Sequence, residues 1–295
     1  MLTEESRTTH PVSEYSTISD ELREKEGRVL NELKGYGSVL VAFSGGIDST
    51  LLARLAKMAL GNRATAVTAE SASMPVSELA EAKRLATELG IQHLVIKTSE
   101  MEDPNYLANP ANRCYFCKKE LGSKLTELAK ELGGYVVVDG TNAEDLQGHR
   151  PGAGALSEMG VRRPLAEAGF RKDEVRRLAK HLGLSNHDKP SMPCLSSRVA
   201  YGEVITTDRL VRIERAESLI RSLTGVRELR VRDHGDVARV EVGPGERRLF
   251  FDESLLDEIS NSLRSLGFLH VALDMSGYRS GSMNASSSAV GNREK

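Results

Sequence analysis

The chain has 295 residues, 39% hydrophobic and 28% charged, enough to bury one large core or two smaller ones beneath a polar surface. Aromatic residues make up 4%, Trp is absent and the net charge is −2, which argues against a base-stacking nucleic-acid platform or a chain carrying the basic excess of a nucleic-acid binder. No apolar run approaches the roughly 18 residues of a membrane span. The polar start, Met1 to Asp20, also lacks a signal-peptide layout, so a cytoplasmic protein with no membrane or nucleic-acid partner is expected.

Residues 1–18 read as a loose tail. Helical periodicity spans 18–33, with Leu22, Val29, Leu30 and Leu33 on one face. Residues 37–43 form an apolar run of strand length, followed by a Gly-rich turn and a helix over 49–60 that Gly61 stops. The pattern then repeats. Strand 64–68 leads to a helix from Pro75 to about Gly90, with the proline in its first turn. Strand 93–96, helix 118–132 and strand 135–139 follow. This alternation predicts a parallel sheet with right-handed crossovers. Residues 141–164 read as irregular, 172–182 as a helix and 185–206 as a turn-rich polar segment. Beyond it come helix 208–223, alternating strands 228–232 and 238–242, helix 252–266 and strand 269–273. The reading is an α/β domain over 19–203 and a smaller C-terminal α+β domain over 204–280, for substrate or oligomer contacts. A homo-oligomer is expected, and 281–295 reads as a second loose tail.

The most informative stretch closes the first strand: Ala42-Phe43-Ser44-Gly45-Gly46-Ile47-Asp48-Ser49-Thr50. Adjacent glycines let backbone approach an anion closely, and hydroxyls at Ser44, Ser49 and Thr50 can add hydrogen bonds. The helix that follows presents free amides and the positive end of its dipole. Together they predict a pyrophosphate seat. Asp48 within such a seat would repel phosphate unless a cation lies between, and Mg²⁺ is the natural bridge. The plain alternative is a strand-turn-helix whose small residues serve packing.

The string lacks the Gly-Lys-Ser/Thr of a Walker loop and the spaced glycines of a dinucleotide fold. Ser-Gly-Gly-Ile-Asp-Ser resembles the signature of the PP-loop ATP pyrophosphatase family. That resemblance implies an adenine nucleotide alpha-hydrolase-like sheet with helices on both faces. It also implies cleavage of ATP between its α and β phosphates, giving an adenylated substrate and pyrophosphate. Asp139-Gly140-Thr141-Asn142 stands at the carboxyl end of the fourth strand, the edge where open parallel sheets bind ligands. Gly140 and Thr141 are therefore candidate nucleotide contacts, as is Thr68 at the exit of the second strand, beside Ala42, Ser44, Gly45, Gly46, Asp48, Ser49 and Thr50.

The three cysteines come next. Cys114 and Cys117 form Cys-x-x-Cys, and Cys194 lies in Pro193-Cys194-Leu195-Ser196-Ser197-Arg198. Three thiolates are one short of a closed structural zinc site. They are what a [4Fe–4S] cluster with one open iron requires. Zinc, a redox pair and three unrelated thiols remain the alternatives.

Further motifs narrow the resemblance. His149-Arg150-Pro151-Gly152, Arg163-Pro164-Leu165-Ala166-Glu167-Ala168-Gly169, Asp188-Lys189-Pro190, the Cys194 loop, Tyr201-Gly202-Glu203 and Leu229-Arg230-Val231-Arg232-Asp233-His234-Gly235 look like the LarE group of PP-loop enzymes. The resemblance covers about 20–280. It implies a sulfurtransferase for the nickel-pincer cofactor of lactate racemase, acting on pyridinium-3,5-biscarboxylic acid mononucleotide. The carboxylates would be adenylated and converted to thiocarboxylates. Some LarE proteins sacrifice the sulfur of a cysteine at the Cys194 position. This chain looks like the three-cysteine type, similar to cluster-dependent tRNA thiolases, which implies a separate sulfide donor. Arg230 and Arg232, two apart on a strand, can form a bidentate anion clamp. Ser197 and Arg198 can orient substrate or AMP beside Cys194. Glu214 and Glu217 read only as surface charge. The rival readings are a tRNA thiolase, an ammonia-using PP-loop ligase and a nucleotide sensor without turnover.

Overall fold

The computed structural model describes residues 18–147 and 151–279. Apart from Ile18, both predicted tails lie outside the described residues, as does the His149-Arg150 pair. Helix α1 (Asp20–Tyr36) begins where the Ser19 hydroxyl accepts the Leu22 N–H, and it buries Leu22, Val29 and Leu33. Strand β1 (Val39–Ala42) is apolar because it is an inner strand. It leads into α2 (Ile47–Leu60), β2 (Ala64–Glu70), α3 (Val76–Leu89), β3 (Gln92–Lys97), the single turn α4 (Pro104–Leu107), α5 (Arg113–Glu131) and β4 (Val136–Asp139).

The four strands are parallel in the order β3-β2-β1-β4. The chain steps outward from β1 to β3, then returns to lay β4 on the other side of β1. That reversal opens a crevice at the carboxyl ends of β1 and β4. Side-chain alternation covers both faces. Val39 and Val41 join one core with Leu51, Leu52 and Leu55 of α2. Leu40 joins another with Leu125 and Ala129 of α5.

Two expectations are corrected. Helix α5 starts at Arg113 rather than 118, so both Cys114 and Cys117 lie in its first turns. The 141–164 segment is not irregular. It contains α6 (Ala143–Leu146), opened by an Asn142/Asp145 capping box, α7 (Pro151–Glu158) and α8 (Pro164–Glu167). Glycines that suggested loops serve close packing here. A Cβ on Gly152 would sit 2.9 Å from Lys118 Cγ and 3.1 Å from the Cys114 carbonyl oxygen, so α7 can lie against α5 only with glycine there.

After α9 (Lys172–His181) an extended segment carries the chain past Cys194 to α10 (Thr207–Thr224). Antiparallel β5 (Leu229–His234) and β6 (Val237–Val242) follow, then α11 (Glu253–Ser265) and β7 (His270–Leu273), which pairs in parallel with β6. This small mixed sheet has its own core around Ile220, Leu229, Val231, Val240, Ile259 and Leu263.

Candidate active site

The loop after β1 is folded by its own hydroxyls. Ser49 Oγ donates to the Gly46 carbonyl at 3.0 Å and accepts the Ser44 N–H at 3.3 Å. Thr50 Oγ1 donates to the same carbonyl at 2.9 Å and is fully buried. Thr50 therefore shapes the loop from beneath. Ser44 is exposed, and its Oγ faces the Gly46 N–H at 3.4 Å. Gly46 caps α2 without a side chain, leaving the first amides of that helix open toward the crevice.

Asp48 sits in the first turn of α2 and accepts the Asn142 side-chain amide at 2.9 Å. Burial raises its carboxyl above the usual range; the Asn142 amide offsets only part of this, and the neighbouring Asp145 carboxylate adds to the rise. Among the described residues no lysine or arginine forms an ion pair with it. A half-buried carboxylate of this kind, at the mouth of an amide-lined loop, suits an oxygen-seeking cation such as Mg²⁺. Gly140 lets β4 approach this turn: a Cβ there would lie 2.7 Å from the Ser49 nitrogen and 2.9 Å from the Asp48 carbonyl carbon. Thr141 is half-buried, and its N–H donates to Asp139 at 2.7 Å. Ala42 ends β1 in register with Asp139.

Thr68 is buried, and its hydroxyl donates to the Phe43 carbonyl at 2.7 Å. With that proton committed, His93 Nε2, 2.8 Å away, must be the donor to Thr68, which fixes its tautomer. Burial lowers the His93 pKa, in keeping with a neutral ring. Thr68 thus braces the backbone that enters the loop.

The cysteines come from two elements. Cys114 and Cys117 lie on α5, and Cys194 precedes the 3-10 turn Leu195–Arg198. The Cys194 loop is tied to the crevice edge, where the Leu195 N–H donates to the Ser73 carbonyl at 2.8 Å. It is also tied to the start of α5: Arg113 donates to the Ser196 carbonyl at 2.9 Å, and Asn109 Nδ2 to the Ala200 carbonyl at 2.7 Å. Tyr106 and Ser196 share a hydroxyl contact of 2.6 Å. Burial, then the proximity of Cys194, pushes the Cys117 thiol up to about 12. Three thiols therefore share one neighbourhood, a donor set that fits an iron–sulfur cluster in kind. Among the described residues, however, no three Cys, His, Asp or Glu side chains stand together at metal-binding geometry.

Arg198 is fully buried. It pairs with Glu217 at 2.9 Å and donates to the carbonyls of Pro193 and Cys194 and to Ser197 Oγ. Ser197 Oγ donates to the Cys194 carbonyl at 2.7 Å. Arg230 reaches the Ser191 carbonyl at 2.5 Å and stacks on Tyr278. Arg232 binds Glu241 at 2.8 Å and the Ser197 carbonyl at 2.9 Å. All three arginines thus hold the 191–198 segment.

Glu217 corrects the surface-charge reading: it is 2% exposed and also accepts the Val231 N–H. Glu214 has a structural partner too, accepting the Val76 N–H at 2.6 Å. Motif reading passed over Asn109, Arg113 and Asn186. Only Arg113, next to Cys114, carried a local signal.

The fold and its loop define the class: an ATP-using enzyme of the PP-loop type. The family model described as NAD synthase matches residues 27–187. An uncharacterized protein of Synechocystis sp. is 47% identical over 262 residues, covering 88% of this chain and 97% of that one. The pyridinium-3,5-bisthiocarboxylic acid mononucleotide synthase of Lactiplantibacillus plantarum is 39% identical over 264 residues, 89% of this chain and 95% of that enzyme. A glutamine-hydrolyzing GMP synthase of Aeropyrum pernix is 27% identical over 237 residues, 73% of this chain and 44% of that protein. The chain belongs to the LarE family of PP-loop enzymes and is an ATP-dependent enzyme whose products, AMP and pyrophosphate, follow from that family. Among the described residues no helix is long and apolar enough to cross a membrane.

Proposed function

We propose that the chain adenylates the carboxylates of pyridinium-3,5-biscarboxylic acid mononucleotide and converts them to thiocarboxylates for nickel-pincer cofactor biosynthesis. The observation that carries this reading is the 39% identity to the L. plantarum synthase, which spans 95% of that enzyme. The layout of the chain supports it. One segment touches the nucleotide loop through Asn186 and Lys189, then delivers Cys194 to the same sheet edge. Activation at the first and sulfur delivery from the second would then be adjacent.

A carboxylate resists substitution because oxide is a poor leaving group. Adenylation supplies AMP as the leaving group, and the amides of the Gly46 turn, with Mg²⁺ held by Asp48, would stabilise departing pyrophosphate. Ser44, Gly45, Gly46 and Ser49 are the proposed phosphate contacts, with Gly140 and Thr141 lining the same crevice. Arg230 and Arg232 are proposed to bear on the substrate's anionic groups by holding the 191–198 loop that carries Cys194. Ser197 and Arg198 fix the Cys194 backbone. A [4Fe–4S] cluster on Cys114, Cys117 and Cys194 would supply a site from which sulfide is delivered.

Cysteine variants assayed anaerobically test the reading. Cys114→Ser, Cys117→Ser and Cys194→Ser should each abolish thiocarboxylate formation and leave substrate-dependent pyrophosphate release intact. If instead Cys114→Ser and Cys117→Ser keep one turnover, and Cys194 alone loses about 34 mass units as its thiol becomes dehydroalanine, the donor is Cys194 itself. Pyrophosphate release that requires ammonia or tRNA, and not the mononucleotide, would refute the substrate assignment.

A further inference from the structure

The peptide joining Gly45 to Gly46 is held from outside the loop. Gly45 is left-handed at φ 71°, and a Cβ on it would lie 3.2–3.3 Å from Ala82. Its carbonyl accepts Asn186 Nδ2 at 3.2 Å, with Lys189 Nζ at 3.5 Å. The second Asn186 amide hydrogen goes to Thr50 Oγ1 at 3.0 Å, within the same loop. Asn186 is 4% exposed, and its Oδ1 has no hydrogen-bond partner. A buried acceptor left bare needs a reason. Here the reason is that both amide hydrogens are committed to the loop, and turning the amide over would set its oxygen against the Gly45 carbonyl.

A trans peptide is planar, so its carbonyl and its N–H point in opposite directions. Drawing the Gly45 oxygen toward Asn186 and Lys189 sends the Gly46 N–H out the other side, where Ser44 Oγ lies at 3.4 Å. If this peptide flipped, an oxygen would replace a donor in the anion seat. Lys189 is itself fixed by Glu78 at 2.8 Å, so its charge is anchored beside the loop.

We propose that Asn186, assisted by Lys189, is a positioning residue for ATP that locks the Gly45–Gly46 peptide with its N–H toward the pyrophosphate portion of the nucleotide. The proposal rests on the reading that this loop seats those phosphates. It also gives the Asp188-Lys189-Pro190 motif a purpose: the segment that carries Cys194 is the one that sets the nucleotide loop.

The test is calorimetric binding of Mg–ATP and of AMP to the full chain, with KM and kcat measured alongside. Asn186→Ala should weaken ATP binding roughly tenfold, the scale for a lost charge-assisted donor, with AMP binding unchanged. Asn186→Asp, nearly isosteric, should be worse than alanine, because two carboxylate oxygens then face the Gly45 carbonyl and Thr50. KM for ATP should rise more than kcat falls. Equal loss of ATP and AMP binding, or an aspartate variant no worse than alanine, would overturn the proposal. Should the Asn186 variants not fold, Lys189→Met must weaken ATP more than AMP, and equal affinities would sink the idea. Wild-type protein that binds no ATP would overturn the loop's function along with this proposal, whereas normal ATP binding by every variant would overturn this proposal alone.

Discussion

On the proposed reading, Asp48 holds a cation. Its carboxyl is half-buried, raised in pKa, and partnered by a neutral amide. Such a group costs the fold stability, and a bound cation would offset that cost. Asp48→Asn should therefore fold at least as stably as the wild type in a thermal melt. The same variant should lose Mg²⁺-dependent pyrophosphate release by about a hundredfold or more, the scale of removing a preorganised charge partner. Unchanged release would show that the cation is held elsewhere. Gly45 and Gly140 set the limits of the site at the same scale, one through its positive φ and the other through contact with the Asp48–Ser49 backbone. The Gly-Gly turn and its acid were legible in the sequence because they are contiguous. The amide of Asn142 on Asp48 was half legible, since the residue stood in a quoted motif but its target did not.

At the scale of elements, the Cys194 loop is the feature that the small sheet supports. Burial alone would raise the Glu217 carboxyl, but the charge of Arg198 and its hydrogen bonds more than offset this and hold it below the usual range. A carboxyl with a depressed folded pKa contributes stability above its unfolded value, here 4.5, and loses it as pH falls through the folded one. Glu217→Gln should thus destabilise by about 3–5 kcal/mol at neutral pH, because Arg198 is left buried without its charge partner. Urea midpoints should show that gap shrinking below pH 4.5; a gap that stays constant on acidification would mean the pair acts through packing alone. Arg230→Ala and Arg232→Ala should each weaken binding of the mononucleotide by about 1–3 kcal/mol and leave ATP affinity unchanged. Parallel loss of both affinities would restrict the arginines to holding the loop. Periodicity predicted the strand but not its cover: the loop carbonyls that Arg230 and Arg232 reach, those of Ser191 and Ser197, lie 39 and 35 residues upstream, beyond the reach of any local pattern.

Over the whole molecule, the alternation of strands and helices was readable because each element carries its own period. The order β3-β2-β1-β4 follows from tertiary pairing instead. Helices α7 and α8 escaped reading because Pro151, Gly152 and Pro164 mark helix starts and close packing here, and the same residue types mark loops elsewhere. The resulting shape ties the Gly45–Gly46 loop and the Cys194 loop to one sheet edge through the segment 186–198. Product analysis tests that account most directly. Full-length protein would be incubated without oxygen with ATP, Mg²⁺, sulfide and the dicarboxylate mononucleotide, and the products resolved by liquid chromatography and mass spectrometry. The account predicts a thiocarboxylate formed in step with equal amounts of AMP and pyrophosphate. Pyrophosphate released with no sulfur in the product, or an amide formed when ammonia is supplied, would contradict it.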